Sequence, residues 1–171
     1  MPTRTASSLA AAPTAALEAA DPDLILTVMQ ETLADGRRAL KFFAKAREPH
    51  LNLYFTRFES EPFHGEPHEH FRELFRDIAR VPQGCSEDWL AGRGAQLFSE
   101  LLPEPLQRRL CGLVGAVRTV QILSNEAWIP WELLKLQDPE DPSSSGPFLV
   151  EAFSLTRWMS ELRFLKSDSS R

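Results

Sequence analysis

Apolar residues fall along this chain in two rhythms. Residues 24–29 read Leu-Ile-Leu-Thr-Val-Met and residues 39–44 read Ala-Leu-Lys-Phe-Phe-Ala, two strand-like blocks on either side of Asp35-Gly36. Both positions of that dipeptide tolerate positive φ, so the pattern predicts a tight antiparallel hairpin. Residues 51–58, Leu-Asn-Leu-Tyr-Phe-Thr-Arg-Phe, alternate in part and predict a third strand beside it. From Pro67 the rhythm becomes helical: Phe71, Leu74, Phe75 and Ile78 recur on one face behind a proline suited to a first turn, in a helix expected to end near Val81-Pro82. Ser86 can cap a second helix, with Glu87 and Asp88 in its first turn and Leu90, Leu97, Phe98, Leu101 and Leu102 on its apolar stripe. Pro103 closes it. Leu106, Leu110, Leu113 and Val114 form a shorter amphipathic helix that Gly115 can terminate.

Residues 117–123 are short and rich in β-branched side chains, which predicts a buried strand, followed by a turn at Ser124-Asn125. Pro130 then starts a short helix through Leu134. Residues 137–147 hold Pro139, Pro142, Pro147, three serines and Gly146, the composition of an exposed loop. Large apolar residues resume over 148–159, read as a strand, and residues 166–171 form a polar tail. The order predicts a mixed α+β chain in which a β-hairpin-containing region is followed by helices and the first strands of an α/β sheet. Three stretches follow from it: a disordered Ala-rich arm over 1–21, a β-hairpin-plus-helix accessory region over 22–82, and a region of helices and strands over 86–171.

Composition narrows the function classes. The 171 residues are 43% hydrophobic, enough to bury a core, and 25% charged, with a net charge of −5 and cations scattered along the chain. Nothing in that distribution suggests a nucleic-acid partner. No apolar run reaches the roughly eighteen residues a membrane helix needs. The Ala-rich start lacks the Leu-rich centre of a signal peptide and is interrupted by Pro13 and Glu18. Two cysteines, Cys85 and Cys111, make no disulfide framework, so a reducing, cytoplasmic setting is expected.

The segment Val120-Gln-Ile-Leu-Ser-Asn-Glu-Ala-Trp-Ile-Pro-Trp-Glu-Leu-Leu134 resembles the opening strand and turn of CHAT domains, the caspase-like cysteine peptidases of the clan of caspases and separases. Its core is Ile129, Pro130, Trp131, Glu132, Leu133 and Leu134. Phe148-Leu-Val-Glu-Ala-Phe-Ser-Leu-Thr-Arg-Trp158 is similar to that family's next strand, which ends in Arg-Trp, here Arg157 and Trp158. Gly94-Ala-Gln-Leu-Phe-Ser-Glu-Leu-Leu-Pro103 is similar to its preceding helix. The resemblance spans roughly residues 86–158 and implies a caspase-like sheet whose catalytic His and Cys lie well past the Arg-Trp strand. The expectation is therefore a non-catalytic front portion with no catalytic residue of its own, inactive until a further segment or second chain completes it. A protein partner or continuation would cover the open sheet edge. The alternative is a stand-alone adaptor in a bacterial signalling or defence system, where such proteins are often found.

Read by themselves, the motif residues look structural. Trp131, Leu133 and Leu134 continue burial around a strand-to-helix corner, and Trp158 and Phe153 are read as core, whereas Trp128 is less constrained and fits a surface aromatic. Glu132 either caps backbone N–H groups or pairs with Arg157. Cys111, between Leu110 and Gly112 on an amphipathic helix, reads as a small buried hydrophobe. Cys85 precedes a helix start without a neighbouring His. His64, His68 and His70 have the spacing of weak metal ligands, but no Cys or acid completes a closed site. His50 follows a proline in a turn. Gly92-Arg93-Gly94 lacks the spacing of a phosphate-binding loop, and no cofactor is expected.

Overall fold

Period-two alternation builds the sheet. The computed structural model describes residues 21–80 and 87–159. The arm up to Ala20, the helix end at Val81-Pro82, Cys85, the Ser86 cap and the polar tail lie outside the described residues. Strand β1 (Leu24–Thr32) pairs antiparallel with β2 (Arg38–Ala46) from Leu24↔Ala46 to Thr32↔Arg38. Their connection, residues 33–37, is longer than the two-residue turn expected. Only Gly36 adopts positive φ, at 83°, and Asp35 instead accepts the Arg37 backbone N–H through Oδ1 at 3.0 Å.

The third strand is shorter than its alternation suggests. A 3-10 turn, Pro49–Leu51, and left-handed backbone at Asn52 and Phe55 bend the chain, so β3 spans only Thr56–Glu59 beside β2. The predicted helix from Pro67 is likewise split into α1 (Pro67–His70) and α2 (Arg72–Ala79) at Phe71, whose ring is buried. Helix α3 (Glu87–Leu101) follows, and after Pro103 comes α4 (Glu104–Leu113). Gln107 closes that break: its Nε2 donates to the carbonyls of Ser99 at 3.0 Å and Leu102 at 2.5 Å, satisfying acceptors the end of α3 leaves over.

Strand β4 (Thr119–Ser124) then runs parallel to β1, with Leu24↔Val120 and Val28↔Ser124 in register. After a 3-10 turn at Trp131–Leu133, the chain forms β5 (Lys135–Asp138) and β6 (Asp141–Phe148), a separate two-stranded ribbon over the stretch expected to be a loop. Proline and serine report turn chemistry, but they do not prevent pairing, and buried Leu136 anchors the ribbon. The stretch expected to be one strand from Phe148 opens instead with α5 (Leu149–Ala152), because Glu151 reaches back to accept the Phe148 N–H at 2.8 Å. Only then does β7 (Ser154–Trp158) pair, parallel to β4. The main sheet has five strands in the order β3-β2-β1-β4-β7 and is mixed, and with the helices the chain is a mixed α+β fold. Strands from 22–82 and from 86 onward share this one sheet.

The two faces of the sheet differ. Leu24, Leu26 and Val28 line up with Phe42 and Ala44 on one side and Val120 and Ile122 on the other, and pack with Leu97, Phe98, Leu101, Leu106 and Leu110 of the helices. The opposite face carries Ile25, Met29, Phe43 and Leu123, half-buried and outside that core. The strand registers place Arg57, Phe43, Thr27, Leu123 and Trp158 in one row across all five strands of this second face.

Two contacts test the arrangement. At the amino end of the parallel pair, Asp23 Oδ2 accepts the backbone N–H groups of Arg118 at 2.9 Å and Thr119 at 3.0 Å, while its own N–H donates to Thr119 Oγ1 at 2.8 Å. The Arg118 and Thr119 amides hold the Asp23 carboxyl below the ordinary carboxylate range. A depressed folded-state value stabilises the fold above the unfolded pKa and is lost as pH falls through the folded one. Asp23→Asn should therefore cost about 1–2 kcal/mol at pH 7 in urea unfolding, with the gap to wild type narrowing below about pH 4. Gly94 packs against the corner: a Cβ there would lie 2.5 Å from the Leu133 carbonyl oxygen and 2.9 Å from the Phe148 ring. Gly94→Ala should destabilise by about 1–3 kcal/mol, overriding helix propensity. Gly92→Ala, with nothing within 4 Å, should stabilise by about 0.5–1 kcal/mol.

Candidate functional site

The carboxyl ends of β4 and β7 bring the two sequence motifs together. Chain leaving β4 turns at Ser124, whose Oγ accepts the Glu126 N–H at 3.0 Å. Glu126 Oε2 then accepts the Trp128 indole N–H at 2.6 Å. Trp128 is half-buried: its ring stacks on Phe71 at 5.9 Å and 22° and meets Phe75 at 5.9 Å. It belongs to an aromatic cluster under the broken helix, which corrects the expectation of a surface aromatic. Helical spacing in the sequence marks Phe71 and Phe75 as core, but nothing in the sequence announces their partner more than fifty residues on.

Ile129, Trp131 and Leu134 are buried, and Pro130, Glu132 and Leu133 are half-buried. This alternation follows from a single 3-10 turn, in which successive side chains point about 120° apart. Trp131 Nε1 is buried without a hydrogen-bond partner. Glu132 faces outward, and both of its carboxylate oxygens accept from Arg157 Nη1 at 3.3 Å. The second guanidinium nitrogen of Arg157 donates to the carbonyls of Ala127 at 3.3 Å and Ile129 at 3.2 Å. One side chain from β7 thus grips three points of the loop that follows β4. The carboxylate of Glu132 is occupied by this grip. Trp158, next in the strand, is 64% exposed and Phe153 is buried; the expectation of a core Trp158 is corrected, because its register with Leu123 places it on the second face, outside the helix-covered core.

The other candidates do not converge. Among the described residues, no group of three His, Cys, Asp or Glu side chains could hold a metal ion. His70 packs its ring against Phe63 at 5.4 Å and Phe71 at 5.0 Å, and His68 Nε2 lies 3.0 Å from Glu69 Oε1. His64, His68 and His70 thus belong to no such group among the described residues, and the rings of His68 and His70 are engaged by other side chains. Burial pushes the Cys111 thiol up, and the nearby Asp138 charge adds to the effect. No histidine lines the two small clefts beside it, whose residues include Arg108, Asp138 and Glu140. Such a thiol is a poor nucleophile at neutral pH. What the corner can do chemically is orient: it fixes the exit of one parallel strand against the end of the next, where α/β sheets place their ligands.

No protein-family model matches the chain, and no curated protein or solved structure matches it either.

The unpartnered indole gives a test of what holds the corner. Trp131→Phe removes an unsatisfied donor, offsetting part of the lost packing, and should cost under about 1.5 kcal/mol, whereas Trp131→Ala should cost about 3–5 kcal/mol. Equal, large losses for both in denaturant unfolding would mean that the N–H has a partner after all.

Proposed function

We propose that this chain is the non-catalytic front portion of a caspase-like cysteine peptidase of the CHAT type, completed for proteolysis by a further segment or a second chain. The observation that carries this reading is that the two motifs behind the resemblance are neighbours: β4 and β7 pair in parallel, and Glu132 of one motif is held by Arg157 of the other. Had the motifs fallen in separate sheets, the resemblance would lose its physical sense.

The borders of the sheet support the same reading. Parallel strands belong to sheets covered on both faces, because their crossovers carry helices. Here the helices pack one face, and the row from Phe43 to Trp158 on the other is left half-buried to exposed. The outer edges differ too. Strand β3 is only four residues long, room for a short segment but not for a lengthening sheet, and its second-face residues Arg57 and Glu59 pair with each other. Among the described residues β7 pairs only with β4, and its single charge is turned into the Arg157 grip. Growth of the sheet is thus favoured past β7. A second layer on the half-buried face and a strand beside β7 are what a completing segment would supply.

Peptidase assays on the isolated chain and on the native species test this. The isolated chain is expected to leave Arg- and Lys-containing peptides uncut and to be indifferent to iodoacetamide. The native species, identified by an intact mass that includes further polypeptide, is expected to cleave such peptides in a thiol-dependent way. Stable partner binding with no cleavage would favour an adaptor instead. Cleavage by the isolated chain, abolished by Cys85→Ala, would overturn the proposal.

A further inference from the structure

At the end of the sheet opposite Arg157, a cleft of about 660 Å³ opens between the start of β1, the end of β2 and the loop before β3. That volume lies in the range of roughly 300–1,000 Å³ usual for ligand sites. Its lining includes Ile25, Lys45, Arg47, Tyr54 and, as its acidic member, Asp21. The two cations differ in what they are free to do. Arg47 is engaged: it lies 2.5 Å from Asp23 Oδ1 and 3.7 Å from Glu48, and donates to the Asp21 carbonyl at 3.0 Å. Lys45 has no carboxylate in pairing distance among the described residues, and its Nζ sits 5.2 Å from the centre of the Phe55 ring.

The loop beside these cations is strained in a particular way. Asn52 and Phe55 are the non-glycine residues of the described chain with positive φ, at 52° and 51°. Asparagine tolerates this region, but a bulky aromatic adopts it only under backbone strain. Burial does not offset that strain, because Phe55 is 58% exposed and Tyr54 82% exposed. What the strained backbone achieves is presentation: the two rings meet edge to face at 5.6 Å and 83°, next to Lys45. Thr56, which also lines the cleft, opens β3, whose outer edge has no strand partner among the described residues.

We propose that this cleft docks a short extended segment of a partner protein in which a carboxylate side chain neighbours an aromatic or large aliphatic one. The carboxylate meets Lys45, the apolar side chain lies between Ile25 and the Tyr54 ring, and the segment's backbone continues along the free edge of β3. A carboxylate is selected over a cation because Lys45 is the cleft's cation without a counterion among the described residues. A peptide is selected over a small metabolite because the cleft opens onto a strand edge, where main-chain pairing supplies affinity. The site stands apart from the Arg157 corner and does not depend on the peptidase reading.

The test uses the full chain, ¹⁵N-labelled, titrated with the acetylated and amidated pentapeptide Glu-Phe-Asp-Leu-Glu while amide shifts are followed. Saturable shifts at Ile25, Lys45, Tyr54 and Thr56 are expected, absent with the control Lys-Phe-Lys-Leu-Lys. Lys45→Glu should weaken binding by about tenfold, and Tyr54→Ser should weaken it while leaving thermal unfolding unchanged. Phe55→Gly is the sharper variant: it should raise the melting temperature by relieving the backbone, yet weaken the peptide. A melting temperature lowered by Phe55→Gly would mean that the ring serves packing, and the proposal falls. It falls also if the control peptide gives the same shifts, or if no shifts appear at millimolar peptide. Binding seen only after residues 1–20 are removed would assign the cleft to the chain's own arm and overturn the proposal too.

Discussion

The pairing of β4 between β1 and β7 is the constraint that the remaining structure serves. Three strands running the same way oblige the chain to travel from a carboxyl end back to an amino end twice. On the first return it lays down α1 to α4, and on the second the Trp131 corner, the β5–β6 ribbon and α5. Those returns supply the apolar mass that covers Leu26, Val120 and Ile122. Each end of the parallel set has its own fastening. Asp23 ties the start of β1 to the start of β4 through two backbone amides, and Arg157 ties the end of β7 to the loop leaving β4. Register is thereby fixed at both ends, so a one-residue slip, which would turn Leu24 and Val120 outward, would break hydrogen bonds as well as burial.

That same pairing explains the asymmetry of the molecule. Hydrophobic cover follows the crossovers, and among the described residues it falls on one face. The other face keeps the alternation of a sheet that expects a neighbour: Ile25, Phe43 and Leu123 are apolar, but they stand in rows with Lys45, Arg57 and Gln121. A solvent-facing antiparallel sheet would carry polar residues here. The mixture fits a face that is covered by a layer with its own polar groups. Among the described residues β3 offers an edge of only four residues and β7 pairs on one side alone, so the two borders of the sheet differ as its two faces do.

Much of this was legible in the residues. The hairpin, α3, α4, β4 and the Trp131 turn follow from period, proline and glycine, because each is decided within about ten residues. The misses share a cause. Residues 51–58 alternate like a strand, but left-handed backbone at Asn52 and Phe55 interrupts them, and nothing in a Phe predicts that conformation. Residues 137–147 carry the composition of a loop, yet Leu136 buried beneath α3 and α4 holds them as a ribbon. The four residues after Phe148 become helical through one Glu151 contact. Trp158 and Trp128 exchanged their expected environments because both are set by long-range contacts, Trp158 by its register with Leu123 and Trp128 by the rings of Phe71 and Phe75. Of the candidate site, the Glu132–Arg157 pairing was among the alternatives the sequence left open, whereas the two carbonyls Arg157 also holds could not be read, since backbone acceptors have no sequence signature.

The energetics of the corner indicate what it is built to do. A partly exposed ion pair such as Glu132–Arg157 contributes about 0–1 kcal/mol, while an unsatisfied buried donor such as the Trp131 indole costs about 1–3 kcal/mol. The polar groups of the corner thus sum to little or nothing in favour of folding, and its stability comes from burying Ile129, Trp131 and Leu134. A guanidinium that grips one carboxylate and two carbonyls is then explained by geometry: a planar fork with several fixed donors defines the angle at which β7 meets the loop after β4. Lysine would supply the same charge without that definition. Angular control at the carboxyl end of adjacent parallel strands fixes how β7 lies against β4, and it holds Arg157 toward the loop while Trp158, the next residue, stays exposed on the second face.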